Sequence, residues 1–345
     1  MAIKHNLKFN SFNLLSIPLI VFYLCLGFVP NLDAVDKIAP QWVGMSIINL
    51  TSIITIYYYR KILSKTIILV LSSWMSITYV GFITWAGLSY FYSINSTEVI
   101  VNITRQVNVL FMFFSMSILF YNIKRKHAFV SWVITVILGI EIFYVFKEAL
   151  MMIENTGFIS SGTLKGITAN RNITAFSIAV KIPFILYLIQ VLKKINYKII
   201  LSAIVLLAIL SLSMIQSRAS FIGLGLIFFS YCMLNLYTFF KNGKKISQLL
   251  GIAYFVIPLL LAIFINQKFI ADKGADALSR AATISISTDD GSINQRLRYY
   301  TDVLTHLRSN PIFGVGLGNW KLKSIEYDSK DIEGYVVPYH AHSDF

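Results

Sequence analysis

Only two cysteines, Cys25 and Cys232, occur in 345 residues. Both sit inside apolar segments, where neither a disulfide framework nor a zinc spacing can be built from them, so they read as small packing residues. Charge is also scarce: 13% of residues are charged, against 56% hydrophobic, with a mean hydropathy of +0.68. That balance excludes a soluble globular domain and indicates a polytopic membrane protein. Carboxylates are the rarer sign, 16 against 30 Lys and Arg, for a net charge of +14. The excess does not indicate nucleic acid, because the basic residues fall in short clusters between apolar segments and not along one face. The sequence holds no internal repeat, low-complexity tract, heptad pattern or soluble linker. No small-residue cleavage site follows the first apolar run, at Phe28-Val29-Pro30-Asn31-Leu32, so that run reads as a retained helix.

What is present is a series of apolar windows, each about twenty residues long and sufficient to cross roughly 30 Å of hydrocarbon as helix. About nine recur, centred near Ile20, Leu50, Ile77, Phe111, Leu138, Phe184, Leu206, Phe228 and Ile257. The spacing predicts an all-α polytopic fold, with residues 1–267 as the transmembrane domain and 268–345 as a long extracytoplasmic stretch carrying short amphipathic helices. Connections alternate in character. Basic ones carry Lys4/Lys8, Arg60/Lys61/Lys65, Lys124/Arg125/Lys126, Lys193/Lys194/Lys198 and Lys241/Lys244/Lys245, and the others are acidic or sparsely charged. Since Lys and Arg are retained on the cytoplasmic side, the N-terminus is expected inside and the final stretch outside.

Ionisable groups within spans cost at least about 2.5–3.5 kcal/mol each on insertion scales, so each needs a partner. Arg105, Glu141 and Lys181 are the clearest cases. Arg105 can snorkel to the surface. Glu141 is expected to neutralise either Arg105 or Lys181 in a polar cavity.

Several motifs fall on the side expected to face outward. Gly157, Gly162 and Gly166 precede Ala169-Asn170-Arg171-Asn172, where Asn serves as a helix cap or a turn former. Gln216-Ser217-Arg218-Ala219-Ser220 is a connection so short that Arg218 is held between two helices. A guanidinium fixed there suits a bidentate contact with phosphate, or else a surface anchor. Further on, Leu297, Tyr300, Leu304 and Leu307 recur at helical spacing among Arg296, Arg298, Asp302, His306 and Arg308. That pattern fits a helix lying on the membrane surface, which Pro311 then stops. Gly314, Gly316 and Gly318 lack the strand, helix and lysine of a phosphate loop and read as a turn permitting close backbone approach. His340 and His342, an i, i+2 pair, fix no third metal ligand, and the spacing of Asp289, Asp290 and Asp344 adds none.

The order of these pieces resembles the O-antigen ligase and O-antigen polymerase superfamily of bacterial inner-membrane glycosyltransferases. The resemblance is carried by Gly166 through Asn172, Ser217-Arg218-Ala219, Arg296 with Tyr300, Pro311 through Gly318, and His342-Ser343-Asp344, covering roughly residues 150 to 345. The family usually places Trp where this chain has Tyr300. It also continues past the histidine with further membrane helices, which implies a fragment of a longer chain or a truncated, inactive form.

The resemblance implies a fold like that of other multi-pass, lipid-linked-sugar transferases (GT-C-like) and a metal-independent, inverting reaction without a cofactor. A glycan would pass from an undecaprenyl-diphosphate carrier to an acceptor hydroxyl, on lipid A-core or on a growing glycan, at the periplasmic face of the inner membrane. On this reading His342 is the base, with His340 as the alternative. Arg218 and Arg296 stabilise the departing diphosphate, and Arg298, Asn170 and Asn172 contact substrate. Ligase is favoured slightly over polymerase. A flippase or transporter of lipid-linked oligosaccharide explains the spans equally well, but not a long loop bearing Arg and His motifs, and no two similar halves are present. A glycosyl hydrolase would need two facing carboxylates, which no pair here suggests.

Overall fold

The computed structural model describes residues 2–30, 32–36, 38–121, 123, 125–160, 163–168, 170–241, 246–283 and 291–328. Each apolar window of the sequence lies on helix. In chain order the helices are α1 (Ala2–Leu24), α2 (Ala39–Tyr58), α3 (Arg60–Leu71), α4 (Trp74–Leu88), α5 (Ser96–Tyr121), α6 (Lys126–Thr156) and α7 (Arg171–Val191). They continue with α8 (Ile195–Ile215), α9 (Arg218–Lys241), α10 (Ile246–Ile265), α11 (Ala277–Ala282), α12 (Gly291–Ser309) and α13 (Trp320–Asp328). No strand occurs among the described residues.

The fold is therefore all-α and polytopic, but the expected count of about nine spans is too high. Among the described residues, six helices are long and apolar enough to cross a membrane, or seven if α3 and α4, bent by 67° at their junction, make one broken span. The shortfall lies in the first two windows. Within α1, Ser11–Leu24 is apolar but shorter than a span. Helix α2 interrupts its apolar run with Asn49 and Ser52, which it buries. The bend has a local cause: the hydroxyls of Ser73 and Ser76 both donate to the Val70 carbonyl, and Ser73 caps α4. Side-chain hydroxyls that occupy a helical carbonyl in this way disturb the backbone ladder.

The chain divides into two compact units, residues 124–284 and residues 1–123 with 285–345. In the first, α6 to α10 form a bundle whose core is aliphatic. Ile178, Ile182, Ile185 and Ile189 make one stripe of α7, facing Leu201, Val205, Ala208 and Leu212 of α8. Helix α8 is the central element, with the largest share of its span buried. Small residues such as Ala208 and Ala179 permit the close approach on which packing in lipid depends.

Polar groups inside the bundle are paired. Glu141 on α6 meets Lys181 on α7, with Nζ 2.9 Å from each carboxylate oxygen, and Ser177 Oγ donates to Glu141 Oε1 at 2.8 Å. Of the two partners expected for Glu141, the structure selects Lys181. Arg105 instead binds Asp36 at 3.0 Å.

In the other unit, a polar seam ties three helices together. Tyr23 Oη donates to Asn49 Oδ1 at 2.7 Å, Asn49 Nδ2 to the Asn108 carbonyl at 2.8 Å, and Asn108 Nδ2 to Ser46 Oγ at 3.0 Å. Asn49, the buried amide of α2, is thus satisfied inside the unit, where an unpaired amide would be costly.

Candidate functional site

The connection between α6 and α7 is built from backbone requirements upward. Gly157 closes α6 at φ +69°, its N–H donating to the Ile153 carbonyl at 2.8 Å. Farther along, Glu148 on α6 receives the backbone N–H groups of Lys165 and Gly166 on one carboxylate oxygen, at 3.0 and 2.8 Å. Gly166 has φ +55°, and a Cβ there would lie 3.0 Å from Thr174 Cγ2 and 3.4 Å from Val145 Cγ2. Both the backbone conformation and the space call for glycine. Thr174 Oγ1 in turn donates to the Lys165 carbonyl and shares a 2.7 Å hydrogen bond with Thr168 Oγ1.

This loop delivers the two asparagines to different tasks. Asn170 is the N-cap of α7, its Oδ1 accepting from the N–H of Asn172 at 2.9 Å and of Ile173 at 3.5 Å. Asn172 reaches across to the next connection, where Ser217 Oγ donates to its Oδ1 at 3.2 Å. Ser217 immediately precedes Arg218, the half-buried first residue of α9. The Asn-x-Asn and Ser-Arg-Ala motifs, 45 residues apart, therefore form one cluster. The turn between α8 and α9 is tight. Gln216 is buried in the left-handed region at φ 55°, an uncommon conformation for a non-glycine residue, and its N–H closes α8 on the Leu212 carbonyl. Arg280 of α11 donates from Nε to the Gln216 carbonyl at 3.4 Å, which brings a second guanidinium to the same turn.

Helix α11 is held in place by a second set of bonds. A π-helical turn, Asn266–Ile270, follows α10. Asn266, almost completely buried, donates to the Ala275 carbonyl at 2.9 Å and to Ser213 Oγ at 3.2 Å, and accepts from Ala277 N–H at 3.0 Å. Asp276 caps α11. The Ser279 hydroxyl, first among its partners, and then Gln267 hold its carboxyl below the usual carboxylate range. Residues of α8, α9, α10 and α11 line a partly open apolar cavity of about 230 Å³.

The second cluster of predicted site residues belongs to α12. Arg296 is exposed, and Arg298 lies over the ring of the buried Tyr299, 5.6 Å from its centroid. The apolar stripe of Leu297, Tyr300, Leu304 and Leu307 faces outward, and the packed face carries Tyr299 and His306. His306, expected among the polar residues around that stripe, is buried, its Nδ1 3.0 Å from Tyr327 Oη and its ring edge-on to Trp320. Only its i, i+7 spacing from Tyr299 could have revealed this.

The glycine-rich segment after Pro311 is a fastener. Phe313 stacks on Trp85 at 5.7 Å, and its carbonyl accepts from Tyr92 Oη at 2.9 Å. Leu317 N–H donates to Ser89 Oγ at 3.0 Å. A Cβ on Gly316 would stand 2.7 Å from Ser93 Cβ, and one on Gly318 would stand 2.2 Å from Asn102 Nδ2. Asn319, with no exposed surface, accepts from Asn95 N–H at 2.7 Å and donates to the carbonyls of Asn95 and Leu317 at 3.2 and 3.0 Å. Lys321 binds Glu98 at 2.7 Å. The close backbone approach expected of these glycines is found at Gly316 and Gly318, whereas Gly314 has a positive φ of 59° with open space at its Cβ position. His340 and His342 lie outside the described residues, as do Asp289, Asp290 and Asp344.

Residues 203–345 match a family model described as O-antigen ligase. The match takes in Arg218, Arg280, Arg296, Arg298, His340 and His342, whereas Asn170 and Asn172 precede it. No curated protein and no solved structure matches the chain.

Proposed function

Since residues 203–345 carry an O-antigen ligase family domain within a multi-pass membrane chain, we propose that the protein transfers a glycan from an undecaprenyl-diphosphate carrier to an acceptor hydroxyl of lipid A-core. The reaction takes place at the periplasmic face of the inner membrane, with the N-terminus cytoplasmic. The observation that carries this reading is the Ser217 to Asn172 hydrogen bond, which fixes Arg218 beside a polar loop at the ends of α7, α8 and α9. A half-buried guanidinium at such a point is a preorganised counter-charge for a phosphate group.

In the proposed step the acceptor oxygen attacks the anomeric carbon while the bond from that carbon to the diphosphate oxygen breaks. The bonding electron pair leaves with the diphosphate, and the hydroxyl proton passes to the imidazole of His342, with His340 as the alternative base. Attack opposite the leaving group inverts the anomeric centre. Arg218 and Arg296, aided by Arg298, meet the charge that grows on the diphosphate, in a setting where fixed dipoles act more strongly than in water. A histidine with an ordinary pKa near about 6.5 can both accept and release this proton close to neutral pH. Because the donor is already activated by its diphosphate, neither nucleotide nor metal is needed.

The test is the lipopolysaccharide profile of a deletion strain complemented with wild type, Arg218→Ala or His342→Ala. Bare core with long chains left on the carrier identifies a ligase. Core bearing a single repeat unit would replace that reading with a polymerase. A normal ladder from His342→Ala would remove the proposed base, and one from Arg218→Ala would remove the proposed counter-charge.

A further inference from the structure

The corner between α2 and α3 forms, with the beginning of the apolar part of α1, a cavity of about 380 Å³, within the roughly 300–1,000 Å³ of small-molecule sites. Its walls are Ser11, Tyr58, Tyr59, Arg60, Lys61 and Ile62, so cations and hydroxyl groups converge there. None of these residues takes part in the transfer described above. The helices set the level of the cavity: Ser11 begins the apolar part of α1, and Tyr58 ends α2. It therefore opens where the apolar lengths of these helices stop.

The cations in its wall are held but not neutralised. Arg60 donates from Nη1 to the Tyr57 carbonyl at 3.1 Å and lies over the Tyr57 ring, 4.1 Å from its centroid. Among the described residues, no carboxylate pairs with Arg60 or Lys61. The reason is compositional: residues 37–97 contain no Asp or Glu, and neither does α1. Asp36 binds Arg105 and precedes α2, whose 20 residues rise about 30 Å before Tyr58. Glu98, in the first turn of α5, binds Lys321. A counter-charge for Arg60 and Lys61 thus comes from outside these helices.

The surface beside the cavity narrows the kind of anion. Ile47, Leu50, Ile54 and Tyr58 recur at helical spacing along α2, and all four are exposed. This apolar track leads from the cavity along the helix, so a ligand that fits both has an anionic head joined to apolar chains. Exposed Tyr57 and Tyr58 stand at the head position, as amphipathic rings do at the head-group level of a bilayer. The Tyr58 hydroxyl can donate to an ester carbonyl, which a glycerophospholipid carries between head and chains. An ammonium in the head would meet two cations and no carboxylate, which disfavours a zwitterionic lipid.

We propose that this cavity binds the phosphate head of an anionic glycerophospholipid, with Arg60 and Lys61 as its counter-charges and its acyl chains lying along α2. A basic pocket between helices at a membrane surface suits such heads. The bound head joins α1 to the α2–α3 corner, since Ser11 forms one wall and Arg60 and Lys61 another. With the N-terminus cytoplasmic, as proposed above, the lipid belongs to the cytoplasmic leaflet, and only this choice of leaflet rests on that reading.

The full chain in an uncharged detergent is titrated with dihexanoyl phosphatidylglycerol, with dihexanoyl phosphatidylethanolamine and with glycerol 3-phosphate, and bound probe is counted by native mass spectrometry. The phosphatidylglycerol should bind about tenfold more tightly than either of the others. Arg60→Gln and Lys61→Gln should each weaken it by about fivefold, the contribution of one basic residue beside an anionic lipid. Ser11→Trp, at an exposed position, fills the cavity while keeping both cations, and should abolish the preference for phosphatidylglycerol. Lys193→Gln combined with Lys194→Gln removes two exposed cations from a different connection and should leave binding unchanged.

Binding that ignores Ser11→Trp overturns the cavity. Equal weakening by the Arg60 and Lys61 variants and by the Lys193 and Lys194 pair means a diffuse positive surface and no site. Phosphatidylethanolamine binding as tightly as phosphatidylglycerol overturns the anionic head, and glycerol 3-phosphate binding as tightly overturns the lipid in favour of a free phosphate. Probe binding requires neither glycan nor acceptor. A chain that binds the probe through Arg60 and Lys61 but transfers nothing therefore breaks only the transfer reading, and a transferring chain that shows no preference among the probes breaks only this one.

Discussion

Two glycine turns of this protein look alike in sequence and are used in different ways. One contains Gly166 and leads to Asn170 and Asn172, and the other contains Gly314, Gly316 and Gly318 and leads to Asn319. In both, glycine is required because backbone at positive φ must pass close to a neighbouring helix. The asparagines separate them. Asn319 spends its amide on Asn95 and Leu317 and is fully enclosed, whereas Asn172 is exposed and turned towards Ser217, beside Arg218. A polar residue after a glycine turn is a fastener when its hydrogen bonds are consumed by backbone, and a candidate for substrate when they lead to another functional group.

The contrast is most strongly tested at Asn319. Asn319→Ala would leave the Asn95 N–H and two carbonyls at a partly buried junction without their partner, a loss of about 3 kcal/mol when each orphaned group costs about 1 kcal/mol. Thermal unfolding of the detergent-solubilised chain should show it as a large drop in midpoint. An unchanged midpoint would mean that the glycine-rich segment is not a fastener.

A smaller loss is expected at the other turn. Glu148→Ala frees the N–H groups of Lys165 and Gly166 and should cost about 2 kcal/mol, less if water replaces the carboxylate. Glu148→Gln keeps an oxygen able to accept both and should recover most of the stability and of the glycan ladder. Should Gln prove as damaging as Ala, the carboxylate is acting through its charge and not as a loop anchor.

The smallest effects on stability sharpen the comparison most. Asn170→Ala removes a helix cap and should cost about 1 kcal/mol. Asn172→Ala, at an exposed position, should cost less than about 0.5 kcal/mol yet depress glycan transfer more than Asn170→Ala does. The opposite order of the two activities would place the functional asparagine at the cap.

Much of the fold is legible in the sequence because lipid imposes a simple rule: about twenty apolar residues in a row become a helix. That rule fails for α2, where Asn49 and Ser52 lower the apolarity of a helix that buries them. It also fails for the α3 and α4 pair, bent at serines whose hydroxyls take a backbone carbonyl. The candidate site was legible where a residue's constraint is local, as at Asn170, Gly166 and the short turn before Arg218. It was not legible where the partner is distant. Nothing in the neighbourhood of Glu148 distinguishes it from any other helical carboxylate, and its role exists only once Lys165 and Gly166 fold back upon it. Asp36 could not be assigned to Arg105 for the same reason, the two standing 69 positions apart. On α12 the periodicity gave the helix, but the stripe of leucines faces outward while Tyr299 and His306 pack. A period locates two faces without saying which one is covered.

Three of the described ion pairs carry an order in time. Asp36 precedes Arg105, Glu98 precedes Lys321, and Glu141 precedes Lys181. During synthesis from the N-terminus, each of these cations therefore emerges after its carboxylate is already in the chain. For Glu141 and Lys181 the interval is a single helical hairpin, α6 and α7, within which this one pair of charges meets without help from any later segment. At least about 2.5–3.5 kcal/mol would oppose either charge entering hydrocarbon alone, so α6 and α7 settle most readily in a bilayer as a pair, each compensating the charge the other carries within its span.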